Sequence, residues 1–142
     1  MPHTFRDAVE ASAFDSIGEF FADDVVFRSP IAHRPYQGRD ALSVILTAVS
    51  RVFEDFTYER EIKDAAGGDH ALIFNARVGD LAIQGCDFLH YNDEGLIDQF
   101  TVMLRPLKAV LAFEERMRVE FARAMTEANG VAGADRCKER TP

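Results

Sequence analysis

From residue 56 to residue 104 the chain alternates β-textured runs with breaks too short to hold anything but a turn. The runs are residues 56–63, 70–78, 81–91 and 96–104, rich in β-branched, aromatic and aliphatic side chains. The breaks at Ala66-Gly67-Gly68-Asp69, Gly79-Asp80 and residues 92–95 consist largely of Gly, Asn and Asp, which tolerate positive φ. Strands joined so tightly can pair only with their sequence neighbours, which predicts an antiparallel meander of four long strands. A meander of that size needs helices over one face, and the segments on either side supply them.

The hairpin over residues 85–97 carries the most informative side chain. Period-two alternation puts Gly85, Asp87, Leu89 and Tyr91 on one face, and Gln84, Cys86, Phe88 and His90 on the other. Neither face is cleanly polar, so both are expected to be covered. Asp87 then stands among apolar neighbours, where its charge is costly unless paired or neutralised. A structural Asp87, paired with an arginine or bonded to backbone, is the competing reading.

The helical signals precede and follow the meander. Phe5, Ala8 and Val9 fit one turn, and Phe14, Ile17, Phe20 and Phe21 another, with Asp15-Ser16 as a plausible cap. Val25-Val26-Phe27-Arg28-Ser29 reads as a short strand stopped by Pro30, and Pro30, Pro35 and Gly38 frame an irregular connection holding His33 and Tyr36. Asp40 is placed to cap a helix whose stripe is Leu42, Ile45, Leu46, Val49, Val52 and Phe53. Pro106 is expected at the first position of a C-terminal helix with Val110, Phe113, Met117, Phe121 and Met125 on one face. The fold class that follows is α+β: a cone-shaped, curved antiparallel sheet wrapped around N-terminal helices, with an added C-terminal helix. Residues 1–125 are expected to form a single domain, and residues 126–142, without apolar periodicity, a disordered tail.

Composition removes several function classes. A net charge of −8 argues against a nucleic-acid partner and against an anionic membrane, both of which call for a basic surface. No apolar run reaches membrane-spanning length, and the opening Met1-Pro2-His3-Thr4-Phe5-Arg6-Asp7 lacks the apolar core of a signal peptide. The two cysteines, Cys86 and Cys137, form no disulfide framework, so a cytoplasmic, reduced protein is expected. The four histidines show no metal-ligand spacing, and no phosphate-binding or dinucleotide glycine motif occurs, so neither a metal nor a cofactor is expected.

Phe21-Ala22-Asp23-Asp24-Val25-Val26-Phe27, Ser29-Pro30 and Tyr36-Gln37-Gly38-Arg39-Asp40-Ala41-Leu42 resemble the opening of a nuclear-transport-factor-2-like cone. Asp93-Glu94-Gly95-Leu96-Ile97 followed by Leu104-Arg105-Pro106-Leu107 is similar to the polyketide-cyclase-like (SnoaL-like) branch. The likeness covers roughly residues 5–107 and implies a cone with a pocket between the concave sheet face and the helices. That superfamily hosts isomerases, epoxide hydrolases, dehydratases, cyclases and non-catalytic binders, so it fixes no chemistry by itself.

Ketosteroid isomerases of the superfamily hold a protonated Asp in an apolar site to donate a hydrogen bond to an enolate. Counted back from Gly95, the matching position is Asp87, which the resemblance therefore makes a pocket acid. Their general base matches Ser29 and their site tyrosine falls near Phe5; neither side chain can do the corresponding work. An epoxide-hydrolase arrangement would need Asp87, Asp98 and Arg77 around one water. His33, in the loop at the expected pocket mouth, is a candidate acid or base, whereas His70 and His90 fall beside turns or on the face opposite Asp87, at surface or interface positions. The expected pocket is lined by Ser29, Ile45, Leu89, Phe100, Val102 and Leu104. It is expected to take a small hydrophobic molecule, either as an isomerase-, hydrolase- or cyclase-type enzyme using Asp87 and His33, or as a non-catalytic binding or assembly module.

The outer sheet face carries Cys86, Phe88, Thr101 and Met103, with Phe74 or Ile73 beside them. That is too much contiguous apolar area for open solvent. A homodimer through this face, or the C-terminal helix folded over it, would bury it.

Overall fold

The computed structural model describes residues 4–140, the last ten of them as backbone only. Helix α1 (Phe5–Glu10) and a 3-10 helix (Phe14–Phe20) lead into strand β1 (Phe21–Arg28). The short strand β2 (Tyr36–Gln37) and helix α2 (Arg39–Val52) follow. Four long strands come next, β3 (Glu54–Lys63), β4 (Asp69–Val78), β5 (Leu81–Tyr91) and β6 (Ile97–Arg105), and helix α3 (Leu107–Arg140) ends the chain.

The meander forms as the turn chemistry requires, each strand from β3 to β6 pairing antiparallel with the next. The sheet has six strands in the order β2-β1-β6-β5-β4-β3. It is mixed, because β1 runs parallel to β6. That single parallel pairing has no local signal: the whole meander lies between the two strands in sequence.

Alternation assigns the faces. On the concave side lie Leu72, Phe74, Ala76 and Val78 of β4 and Ile83, Gly85, Asp87 and Leu89 of β5, all buried. Asp87 pairs with Val102, Leu89 with Phe100 and Gly85 with Leu104, so the inward parity expected of β6 holds. Phe74 therefore faces in, at 1% exposure, and the outer position is Ile73, opposite Cys86. Near the turn the parity slips. Tyr91 pairs with Ile97 but His90 with Gln99, leaving Asp98 as an extra residue in β6. This bulge buries both Ile97 and Phe100, three residues apart, and sends Asp98 outward.

Helix α2 lays Leu42, Ile45, Leu46, Ala48 and Val52 against the concave face. Each leucine, isoleucine or valine among them, fully buried, contributes about 1.5–3 kcal/mol of transfer free energy. Its N-cap is Gly38, not Asp40: Gly38 has φ 102°, and its carbonyl accepts from the Leu42 amide at 3.2 Å. Positive φ lets the chain leave β2 and enter the helix in one residue, so Asp40 falls in the first turn, where it favours the helix dipole.

Helix α3 packs on α2 through Ala109, Phe113, Met117 and Ala124, on the side away from the outer sheet face. Pro106 stands just ahead of it, its carbonyl accepting from the Val110 amide at 3.0 Å. The backbone stays helical past Thr126 to Arg140 where a tail was expected. No helix among the described residues is long and apolar enough to cross a membrane.

Candidate functional site

Between the concave face, α2 and the start of α3 lies a cavity of about 570 Å³. Eight of the twelve phenylalanines line it, so the aromatic richness serves wall and core together. Phe5 and Phe14 close one end, Phe113 and Met117 of α3 another, and Phe27, Phe56, Phe74 and Phe100 form the sheet wall. Phe5, Phe21 and Phe27 each meet Phe100 edge-on at centroid distances of 5.4–6.2 Å, which fixes that wall.

Asp87 is the buried charged residue of this wall, 7% exposed and facing the cavity. Strand β5 fixes its direction, with Leu72 and Val102 as its neighbours across the ladder. No arginine pairs with it among the described residues. Burial alone pushes its pKa up to about 8, because the carboxylate would lose its hydration without gaining a partner.

Tyr58 is the second polar group of the cavity, and the sequence reading did not single it out. Its hydroxyl is buried with no hydrogen-bond partner among the described residues. Phe56 meets its ring edge-on at 5.0 Å, and the Arg6 guanidinium lies 5.2 Å from the ring centroid. Burial, and then the charge of Asp87, raise its pKa. The signal was available in period two: Phe56 and Tyr58 share the inward face of β3, so a hydroxyl stands on an apolar face just as the Asp87 carboxyl does.

The other titratable groups at the cavity are committed elsewhere. Glu10 pairs with Arg6 at 3.2 Å, and Arg6 also reaches Glu61 at 3.1 Å. Arg51, at the end of α2, holds Glu127 of α3 through two hydrogen bonds of 3.0 and 2.7 Å.

Of the expected lining residues, Ser29, Ile45, Phe100 and Val102 face the cavity. Leu89 and Leu104 do not. Leu89 is consumed by the core around Phe5 and Phe100, and Leu104 covers the bare face of Gly85. His33 is exposed and lies in a separate hollow with Ile31, Leu107 and Glu114, so it does not join Asp87. The loop that carries it turns toward α3 after Pro30.

Ser29 and Phe5, the positions where the resemblance sought a base and a tyrosine, both line the cavity. The Ser29 hydroxyl accepts from the Ile31 amide at 3.2 Å and hydrogen-bonds no base among the described residues. The hydrolase trio is dispersed: Arg77 binds Asp55 at 2.7 Å, while the bulge turns Asp98 to His90 Nδ1 at 2.6 Å on the outer face. Among the described residues no three His, Cys, Asp or Glu side chains are grouped to hold a metal.

A curved open sheet around helices, with an aromatic cavity and a buried acid in its wall, defines a cone of the nuclear-transport-factor-2-like class. The chain belongs to the SnoaL-like domain family, whose model matches residues 3–100. A steroid delta-isomerase from Pseudomonas aeruginosa is 36% identical, over 86% of this chain and 89% of that one, with a TM-score of 0.82. An uncharacterized protein with a cystatin-like fold from Silicibacter pomeroyi is 35% identical, over 93% and 92% of the two chains, with a TM-score of 0.78. An NTF2-like protein of unknown function from Cytophaga hutchinsonii shares the fold at 17% identity, over 72% and 84%, with a TM-score of 0.54. No match was found among curated proteins.

Proposed function

We propose that the cavity binds a small, largely apolar organic molecule bearing one hydrogen-bond acceptor, with the neutral Asp87 carboxyl donating to that acceptor. The observation that carries this reading is a buried carboxyl that faces an aromatic cavity and has no partner among the described residues. A cavity of about 570 Å³ has the size of ordinary small-molecule sites, which bury most of the ligand against apolar walls and orient it with a few polar groups. The likeness to a steroid delta-isomerase supports the isomerase form of the enzyme reading.

A non-catalytic binding module is the second reading. Ser29 and Phe5 favour it, because they leave the two remaining positions of an isomerase site without a base or a hydroxyl. In that module Asp87 is structural and makes no bond to the ligand. Calorimetric titration with a panel of bicyclic ketones and the matching hydrocarbons separates the two readings. The ketones should bind at least tenfold more tightly, and Asp87→Asn should shrink that difference. Equal affinity for ketone and hydrocarbon would refute the donor role.

We infer further that the chain works as a homodimer in the cytoplasm, paired through the outer sheet face. Helix α3 lies on the opposite side and leaves Phe88 and Met103 exposed at 43% and 59%.

A further inference from the structure

The cavity meets solvent at a charged rim. Of the residues that line it, Glu10 and Ser12 at the end of α1 and Ser50 and Arg51 at the end of α2 are exposed; the others are buried or half-buried. Arg51 is the one cation among the described lining residues. Glu10 is neutralised by Arg6 at 3.2 Å. Thr47 and Ser50 spend their hydroxyl hydrogens on backbone carbonyls of α2, at 2.9 and 2.6 Å, so neither competes with Arg51 for an anion.

Arg51 can change partners at little cost. Its Nη1 and Nη2 grip the Glu127 carboxylate at 3.0 and 2.7 Å, and its Nε donates to nothing among the described residues. Glu127 is half-exposed, and an ion pair so open to water adds little stability. Arg123, one turn earlier on α3, faces the same carboxylate: its charge lowers the Glu127 pKa too, after the bond to Arg51. Glu127 released by Arg51 therefore keeps a cation beside it.

Resting on the ligand site described above, we propose that Arg51 is an anion subsite at the mouth of the cavity and that the ligand is an apolar keto acid. Its carbonyl oxygen accepts from Asp87, and its carboxylate takes the place of the Glu127 carboxylate on Arg51. The fit is already on display, because the guanidinium holds a carboxylate fork to fork. The ligand wins the exchange because burial of its apolar body and the ion pair act on one molecule, whereas Glu127 gains no burial from the pair. The net charge of −8 does not prevent this, since charges farther than about 8 Å away are screened at physiological salt.

The test is calorimetric titration of the full chain with a 2-tetralone bearing a propanoate chain on its aromatic ring, and with the matching methyl ester. In the wild type the acid should bind about tenfold more tightly than the ester, and the preference should shrink as sodium chloride is raised. Arg51→Gln should abolish the preference. Glu127→Gln frees the guanidinium and should raise the affinity of the acid by about threefold, with the ester unchanged. Ester affinity reports the integrity of the cavity in both variants, and the wild-type salt dependence stands without either. An acid that binds no more tightly than its ester in the wild type, or a preference that survives Arg51→Gln, would overturn the anion subsite and leave the cavity reading standing. Binding of neither compound at millimolar concentration would overturn both.

Discussion

Gly85 and Phe74 face each other on neighbouring strands, and the Phe74 ring lies over the position where any other residue would carry its Cβ. A Cβ there would stand 2.8 Å from Phe74 Cε2 and 2.6 Å from Leu104 Cδ2. Phe74 cannot move aside freely, being stacked on Phe56 at 4.8 Å and packed on Phe53 at 5.5 Å. The bare backbone of Gly85 thus sets where one wall of the cavity stands, two residues before Asp87. Gly85→Ala should destabilise the protein by about 1–3 kcal/mol, as overpacking does, and weaken ligand binding. Urea unfolding checks the first effect, and a wild-type midpoint would contradict it.

Asp87 makes stability depend on pH. Its folded pKa of about 8 lies above the ordinary 3.8, so between those values the folded state holds a proton that the unfolded chain has lost. Stability is therefore full below about pH 4, falls as pH rises through the window and levels off above about 8. Asp87→Asn removes that dependence. At pH 9 the variant should exceed the wild type by a few kcal/mol, at roughly 1.4 kcal/mol per pKa unit before relaxation. At pH 4 the two should agree. Thermal melts at both pH values decide it, and parallel behaviour at the two would contradict a neutral buried Asp87.

On the outer face, His90 is held by Asp98 at 2.6 Å, and that bond raises the imidazole pKa. Histidine NMR titration should show His90 protonating at higher pH than a free histidine. Asp98→Asn should bring it back toward the ordinary value. Failure of the variant to move it would mean that the bulge does not join these two side chains in solution.

Much of this was legible in the sequence because it is local. Turn residues fixed the four-strand meander, and period two placed Asp87, Val102 and Phe100 inward and Cys86 and Met103 outward. What escaped depends on contacts distant in sequence or on single-residue slips. The parallel β1–β6 pairing spans the entire meander, and the extra Asp98 in β6 reverses the face that simple alternation assigns to it. Ser29 and Ile45 line the cavity, whereas His33, expected at its mouth, lies in a separate hollow, because the direction of a proline-framed loop is set by its packing near α3. Tyr58 was readable in principle. Its strand was recognised, and the hydroxyl on its inward face was passed over.

The outer face carries the dimer prediction. Phe88, Met103 and Ile62 are exposed there at 43–59%. Ile73 and Cys86 pair across the centre of that face. A second copy related by a two-fold axis would meet the same patch. Sedimentation equilibrium at micromolar concentration should give twice the 15.9 kDa chain mass. Phe88→Asp combined with Met103→Arg should give the single-chain mass with the fold retained. A wild-type monomer would refute the pairing.

The ligand site is tested most directly by following the Asp87 carboxyl carbon by NMR across pH, with and without saturating 2-tetralone. The expected midpoint is about 8 in the free protein, moving higher when the ketone accepts a hydrogen bond from the neutral carboxyl and favours that form. A midpoint in the ordinary carboxylate range, or one that ignores a bound ketone, would contradict the assignment of Asp87 as the acid of this cavity.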